Sequence, residues 1–99
     1  MSFVSTQPED LTAATGNLQS IGSVVTAQNA AAAAPTVGVV PAAADEVSAL
    51  TATQFAMHAQ MYQAVSAQAA AIHEMVVGTL SMNGLSYLTT EVANAAATA

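Results

Sequence analysis

One break governs what this 99-residue chain can become. Pro35-Thr36-Val37-Gly38-Val39-Val40-Pro41 holds two of its three prolines and one of its five glycines. The third proline, Pro8, stands near the start, so long stretches on both sides of the break are free of proline. Proline removes a backbone donor and pushes the residue before it out of the α region. The chain therefore reads as two long helices joined by one short connection, and a connection of this size joins antiparallel neighbours.

The first helix is expected over about 8–34. Thr6-Gln7-Pro8-Glu9 fits the S/T-x-x-E capping box, and Pro8 falls in the first turn, where its missing N–H does no harm. Glu9 and Asp10 then lie at the positive end of the helix dipole. Leu11, Ala14, Leu18, Ile21, Val25, Gln28 and Ala32 recur at alternating steps of three and four, a heptad-like seam. The alanine run from Ala30 carries the helix to Ala34, where Pro35 should end it. The loop over 35–41 contains three valines, which are expected to pack over the end of the helix pair. The second helix should run over about 42–82, with Asp45 and Glu46 in its first turns and Asn83-Gly84 as its stop. At 1.5 Å per residue the two helices are ~40 Å and ~60 Å long, so the second must overhang the first. The hairpin occupies residues 1–84, and 85–99 follow as a tail whose alanine-rich end, Val92 to Ala99, should fray.

Helix two is apolar on more than one side. One row is Leu50, Met57, Met61, Ala64, Ile72 and Met75; another is Phe55, Tyr62, Val65, Ala69 and Val76. A two-helix hairpin covers one side of such a helix, and a helix apolar around most of its girth is buried in something larger. Alanine, about a quarter of the chain, allows close approach but adds little apolar area per residue. Ninety-nine residues in a hairpin enclose no sizeable core. Complete folding should therefore need further helices from a second copy or another protein. The residues expected to meet such a partner are Leu18, Ile21 and Val25 on the first helix, and Leu50, Phe55, Met57, Met61, Tyr62, Val65, Ile72, Met75, Val76 and Leu80 on the second. Which apolar row packs within the hairpin is not decided by the pattern. The five methionines suit either a core or an adaptable interface.

Charge and composition exclude other roles. The chain has no Lys or Arg and a net charge of −6, so it lacks the basic patch that nucleic acid or an anionic membrane surface requires. It has no cysteine for a disulfide or a thiolate zinc site. His73-Glu74 begins like the zinc-protease H-E-x-x-H helix, but position 77 is Val77. His58 and His73 stand about four turns apart, more than ~20 Å, and cannot share a metal within one chain. No nucleophile–base spacing and no phosphate loop appears, so no catalytic residue, metal ligand or cofactor is expected. Met1-Ser2-Phe3-Val4-Ser5 lacks the basic and apolar regions of a secretory leader. The chain should be soluble, or leave the cell by a route that reads no such leader. In the tail, Tyr87 and Glu91 stand at i and i+4, one turn apart on one helix face, a spacing common enough to carry little weight alone.

Together these pieces resemble the PE family of mycobacterial proteins, named for a Pro-Glu pair near the N-terminus, here Pro8-Glu9. The resemblance continues through the alanine run into Pro35-Thr36, Gly38-Val39-Val40-Pro41, Ala42-Ala43-Ala44-Asp45-Glu46-Val47-Ser48 and Ala70-Ala71-Ile72-His73-Glu74, and on to Tyr87 and Glu91. Each piece is weak, and the ordered set is specific over essentially the whole chain. It implies a short member made of the PE domain alone, without a Gly-rich or enzymatic extension. It implies an all-α fold: an antiparallel two-helix hairpin completing a four-helix bundle with a PPE-family (Pro-Pro-Glu) partner through a mainly hydrophobic interface. It further implies export by a type VII secretion system that reads Y-x-x-x-D/E, here Tyr87 and Glu91, beside a W-x-G turn of the partner. The cytosolic chaperone of such pairs grips the PPE chain, so contact with this chain is indirect. The pair would fold in the cytoplasm and end secreted or attached to the cell surface or wall. A second reading is a membrane- or envelope-associated subunit of a channel-like assembly for solute uptake. Alanine-rich helices of low charge permit it; the lack of a Lys/Arg face and of aromatic belts weighs against it.

Overall fold

A computed structural model describes residues 4–99. Met1, Ser2 and Phe3, part of the stretch read above for a leader, lie outside the described residues. Two helices, α1 (Pro8–Val37) and α2 (Glu46–Thr98), form a hairpin. It is a rod of 80 × 21 × 17 Å whose length is that of α2 itself. The register is antiparallel: Leu18 faces His73, Asn29 faces Gln63, and Thr6 meets Glu91. Both ends of α2 therefore extend past α1.

Several boundaries differ from those expected. α1 runs through Pro35 to Val37 rather than ending at Ala34. Pro35 lies in the last turn, where it removes one ladder bond. The Thr36 hydroxyl donates to the Ala32 carbonyl at 2.6 Å, and the Gly38 N–H closes the helix on the Ala34 carbonyl. The capping box is not formed. Gln7 is the N-cap residue and supplies no side-chain cap. α2 begins at Glu46 rather than near Ala42, because Asp45 caps it from an extended backbone. The Asp45 carboxylate accepts from the Ser48 N–H at 2.7 Å and from the Ser48 hydroxyl at 2.9 Å. Those two bonds hold its carboxyl below the usual carboxylate range. They also fix the helix start more firmly than the propensity of Ala42-Ala43-Ala44. The loop valines do not pack over the helix pair as expected: Val37 is taken into α1, and Val39 and Val40 are exposed, lining an open hollow with Val47, Thr51 and Phe55 at the start of α2.

The largest difference concerns Asn83-Gly84. It does not stop α2: the helix continues through the expected tail to Thr98. Gly84 has no left-handed φ and is buried, with Leu11 and Thr12 of α1 just beyond where a Cβ would stand. An added methyl group would meet them at ordinary contact distance, so Gly84 is a buried seam residue inside the helix rather than its stop.

The seam between the helices is built from small and polar residues. On α1 the buried and half-buried positions are Pro8, Leu11, Thr15, Leu18, Gly22, Asn29, Ala32, Ala33 and Val37. On α2, besides Ser48 at the cap, they are Ala52, Ala56, Ala59, Gln63, Ser66, Ala70, His73, Val77, Leu80, Gly84 and Glu91. The α1 seam anticipated from apolar spacing is thus corrected at alternate positions. Ala14, Ile21, Val25 and Gln28 are exposed, while Thr15, Gly22 and Asn29 point inward. Small residues let the backbones come close, and Thr15, Asn29, Gln63, His73 and Glu91 each find a partner. Thr15 returns its hydroxyl to the Leu11 carbonyl at 2.8 Å. Gln63 Nε2 donates to the Asn29 carbonyl at 2.9 Å, and the Tyr62 hydroxyl to Asn29 Oδ1 at 2.7 Å. His73 Nε2 reaches the Leu18 carbonyl at 2.6 Å, its ring lying over Gly22.

This seam gives register but little core. Among the described residues, the core side chains are Ala52, Ala59 and Val77, and no large side chain is fully buried. The radius of gyration is 22.9 Å, where a compact chain of this length has about 13 Å. The accessible surface is 7507 Å², against ~5,200 Å² for a compact monomer of this mass.

Candidate interaction surface

The two apolar rows of α2 that competed for the hairpin interior are both outside it. Phe55, Tyr62, Val65 and Val76 are exposed, and so are Leu50, Met57, Met61, Ile72 and Met75. Ile21 and Val25 of α1 are exposed as well. Leu18 and Leu80 alone of the anticipated contact residues are half-buried, as members of the seam.

Helical geometry sorts the exposed residues into two surfaces. Phe55, Tyr62, Ala69 and Val76 recur every seven residues on the flank of the α2 seam. Tyr62 and Ala69 share an open hollow of about 290 Å³ with Ile21 and Val25 of α1. Phe55 and Tyr62 share another with Ala32, Pro35 and Val39. Ile72, Val76 and Leu80 continue the line along α2. One broad side of the hairpin is therefore apolar across both helices. Met61 and Met75, with Met82 a further heptad on, lie on the side of α2 away from α1. The sequence reading omitted Val24, Val47, Met82, Leu85 and Val92, which are also exposed. The heptad continuation of the rows was the signal that could have found the last three.

The remaining candidate residues lie at the far end. Tyr87 and Glu91 sit one turn apart on α2 and continue the row that packs on α1 from Ala52 to Gly84. Tyr87 is 49% exposed. Glu91 is half-buried, and its Oε1 accepts from the Thr6 hydroxyl at 3.0 Å. Pro8 is buried, whereas Glu9 beside it is exposed. His73 is a seam residue bonded to backbone, and His58 lies exposed beside Phe55. Among the described residues, no three His, Cys, Asp or Glu side chains gather closely enough to hold a metal ion. No described helix is long and apolar enough to cross a membrane.

The two-helix hairpin is the fold that the sequence resemblance implies for this chain. The PE family model matches residues 4–94. The chain belongs to the PE family. It is 67% identical over 97 residues to PE family protein PE13 of Mycobacterium tuberculosis, covering 98% of both chains. It is 52% identical over 99 residues to PE family protein PE8 of the same species, of which it spans 36%. It is 53% identical over 93 residues to PE-PGRS family protein PE_PGRS47, of which it spans 18%. The matched stretch is thus nearly the whole of PE13 and a minor part of the two longer relatives.

Proposed function

We propose that this PE protein is a non-enzymatic subunit that pairs with a PPE-family chain and is exported as that pair by a type VII secretion system. The observation that carries the reading is the uncovered apolar side formed by Ile21 and Val25 with Phe55, Tyr62, Ile72 and Val76. A chain with almost no core of its own gains its stabilisation from covering that side. The excess of ~2,300 Å² over a compact monomer is the scale of an obligate interface. Two helices from the partner, laid across both helices of the hairpin, complete a four-helix bundle. With no Lys or Arg in this chain, any cation that meets its six carboxylates there comes from the partner. Tyr87 and Glu91, at the end of the rod away from the loop, form the export signal. The proposed destination is the cell surface or the medium.

Export of the pair tests the signal. Tyr87→Ala should leave pairing intact, since Tyr87 lies a helical turn beyond the last buried seam residue, Gly84. It should lower the exported fraction about tenfold or more, the scale of one lost aromatic contact in a recognition site. Undiminished secretion of Tyr87→Ala would remove the signal assignment.

A further inference from the structure

The Thr6–Glu91 contact joins the two ends of the chain at the proposed signal. Thr6 has the sequence position of a capping residue, three before Glu9, yet its hydroxyl is not used there. Gln7 caps α1 through its carbonyl alone, which accepts from the Asp10 and Leu11 N–H groups. The Thr6 hydroxyl instead crosses to α2 and donates to Glu91 Oε1 at 3.0 Å, 85 residues away in sequence. Pro8 is buried and fixes its own φ, and Gln7 before it stands outside the helical region, at φ −122° and ψ 81°. One turn before Tyr87, Gly84 seats Leu11 and Thr12 against α2. The Tyr87–Glu91 turn is thus bracketed by two contacts with the start of α1.

The chemistry of the contact is specific to this composition. The chain contains no Lys or Arg to pair with Glu91. A neutral hydroxyl holds one carboxylate oxygen without neutralising the charge, and Oε2 has no hydrogen-bond partner among the described residues. One carboxylate oxygen is therefore held in place, and the other is left for a donor outside this chain.

Resting on the export reading above, we propose that Thr6 is a positioning residue for the signal. The export machinery reads a folded epitope made of residues 4–8 and the Tyr87–Glu91 turn together, rather than a linear tail.

The test uses the co-produced pair and measures both its yield in the cell and its fraction in the medium. Thr6→Val, which keeps shape and removes the hydroxyl, should lower export by roughly tenfold at unchanged pair yield, the scale of one hydrogen bond to a charged group. Thr6→Ser, which restores the donor, should export normally. In a Glu91→Ala background, Thr6→Val should add no further loss. If Glu91→Ala blocks export while Thr6→Val is exported like the parent, the positioning role is overturned and the signal stands. Loss of pairing in Thr6→Val would make Thr6 a folding residue and also overturn it. Normal export of Glu91→Ala would overturn both readings.

Discussion

Ile72→Asp should abolish recovery of the PE–PPE pair. Ile72 is 62% exposed in the hairpin and shares a hollow with Val76 and Leu80 on its apolar side. The substitution therefore costs the isolated hairpin little, because the new carboxylate is solvated there. Pairing moves that carboxylate into an apolar interface, and no Lys or Arg of this chain can meet it. A buried charge left without a partner costs about 3–5 kcal/mol. At roughly tenfold per 1.4 kcal/mol, that lowers the pairing constant by two to three orders of magnitude. Met61→Asp is the matched comparison. Met61 is also exposed but lies on the side of α2 away from α1, so a partner that covers only the first surface tolerates it. Co-purification yield of the two variants reads the difference. Normal yield of Ile72→Asp would remove the interface assignment. Equal loss in both would extend the interface around α2.

The second large effect concerns the seam. Alanine replacing glycine inside a helix ordinarily stabilises by ~0.5–1 kcal/mol. Gly16→Ala should do so, since nothing lies within 4 Å of its added methyl group. Gly22→Ala should do the reverse. Its Cβ would stand 2.6 Å from His73 Cδ2 and 2.7 Å from His73 Nε2. That ring cannot swing away freely, because Nε2 is bonded to the Leu18 carbonyl. Overpacking costs about 1–3 kcal/mol, and loss of the hydrogen bond about 1 kcal/mol more. After the propensity gain, Gly22→Ala should be destabilised by about 1–3 kcal/mol, with opposite sign to Gly16→Ala. At ~4–8 °C per kcal/mol for a chain of this size, thermal melts of the pair separate the two variants clearly. A Gly22→Ala variant as stable as Gly16→Ala would mean that His73 does not cross the seam.

These two substitutions mark where the sequence was legible. Pro35 to Pro41, with acids at both helix starts, was enough for the hairpin, since proline chemistry and dipole compensation act locally. The apolar rows of α2 were legible for the same reason: heptad spacing depends on nothing outside the helix. The seam was hidden because a hydrophobic pattern points to Ile21 and Val25, whereas the helices meet through Gly22, Thr15 and Asn29. The row Ala52, Ala56, Ala59, Ser66, Ala70 was visible as a heptad of small residues, but small residues carry little hydrophobic signal. Gly84 and Thr6 misled for a related reason. Glycine after asparagine reads locally as a helix stop, and threonine three before glutamate reads as a cap. In each case the outcome was set by the opposing helix, at Leu11 and Thr12 for Gly84 and at Glu91 for Thr6. Pro35 differs: its late position in α1 and the Thr36 hydroxyl offset the usual cost.

The central claim is that this hairpin is half of a structure. The most direct measurement is the absolute mass by light scattering, with far-UV circular dichroism, of the chain produced alone and with a PPE-family chain. The account predicts that the lone chain is insoluble or only partly helical, and that the pair elutes as a fully helical 1:1 complex. A lone chain that is a stable, fully helical monomer or homo-oligomer, and that ignores the PPE chain, would contradict it. The exposed rows would then be satisfied by self-assembly or would need no cover at all.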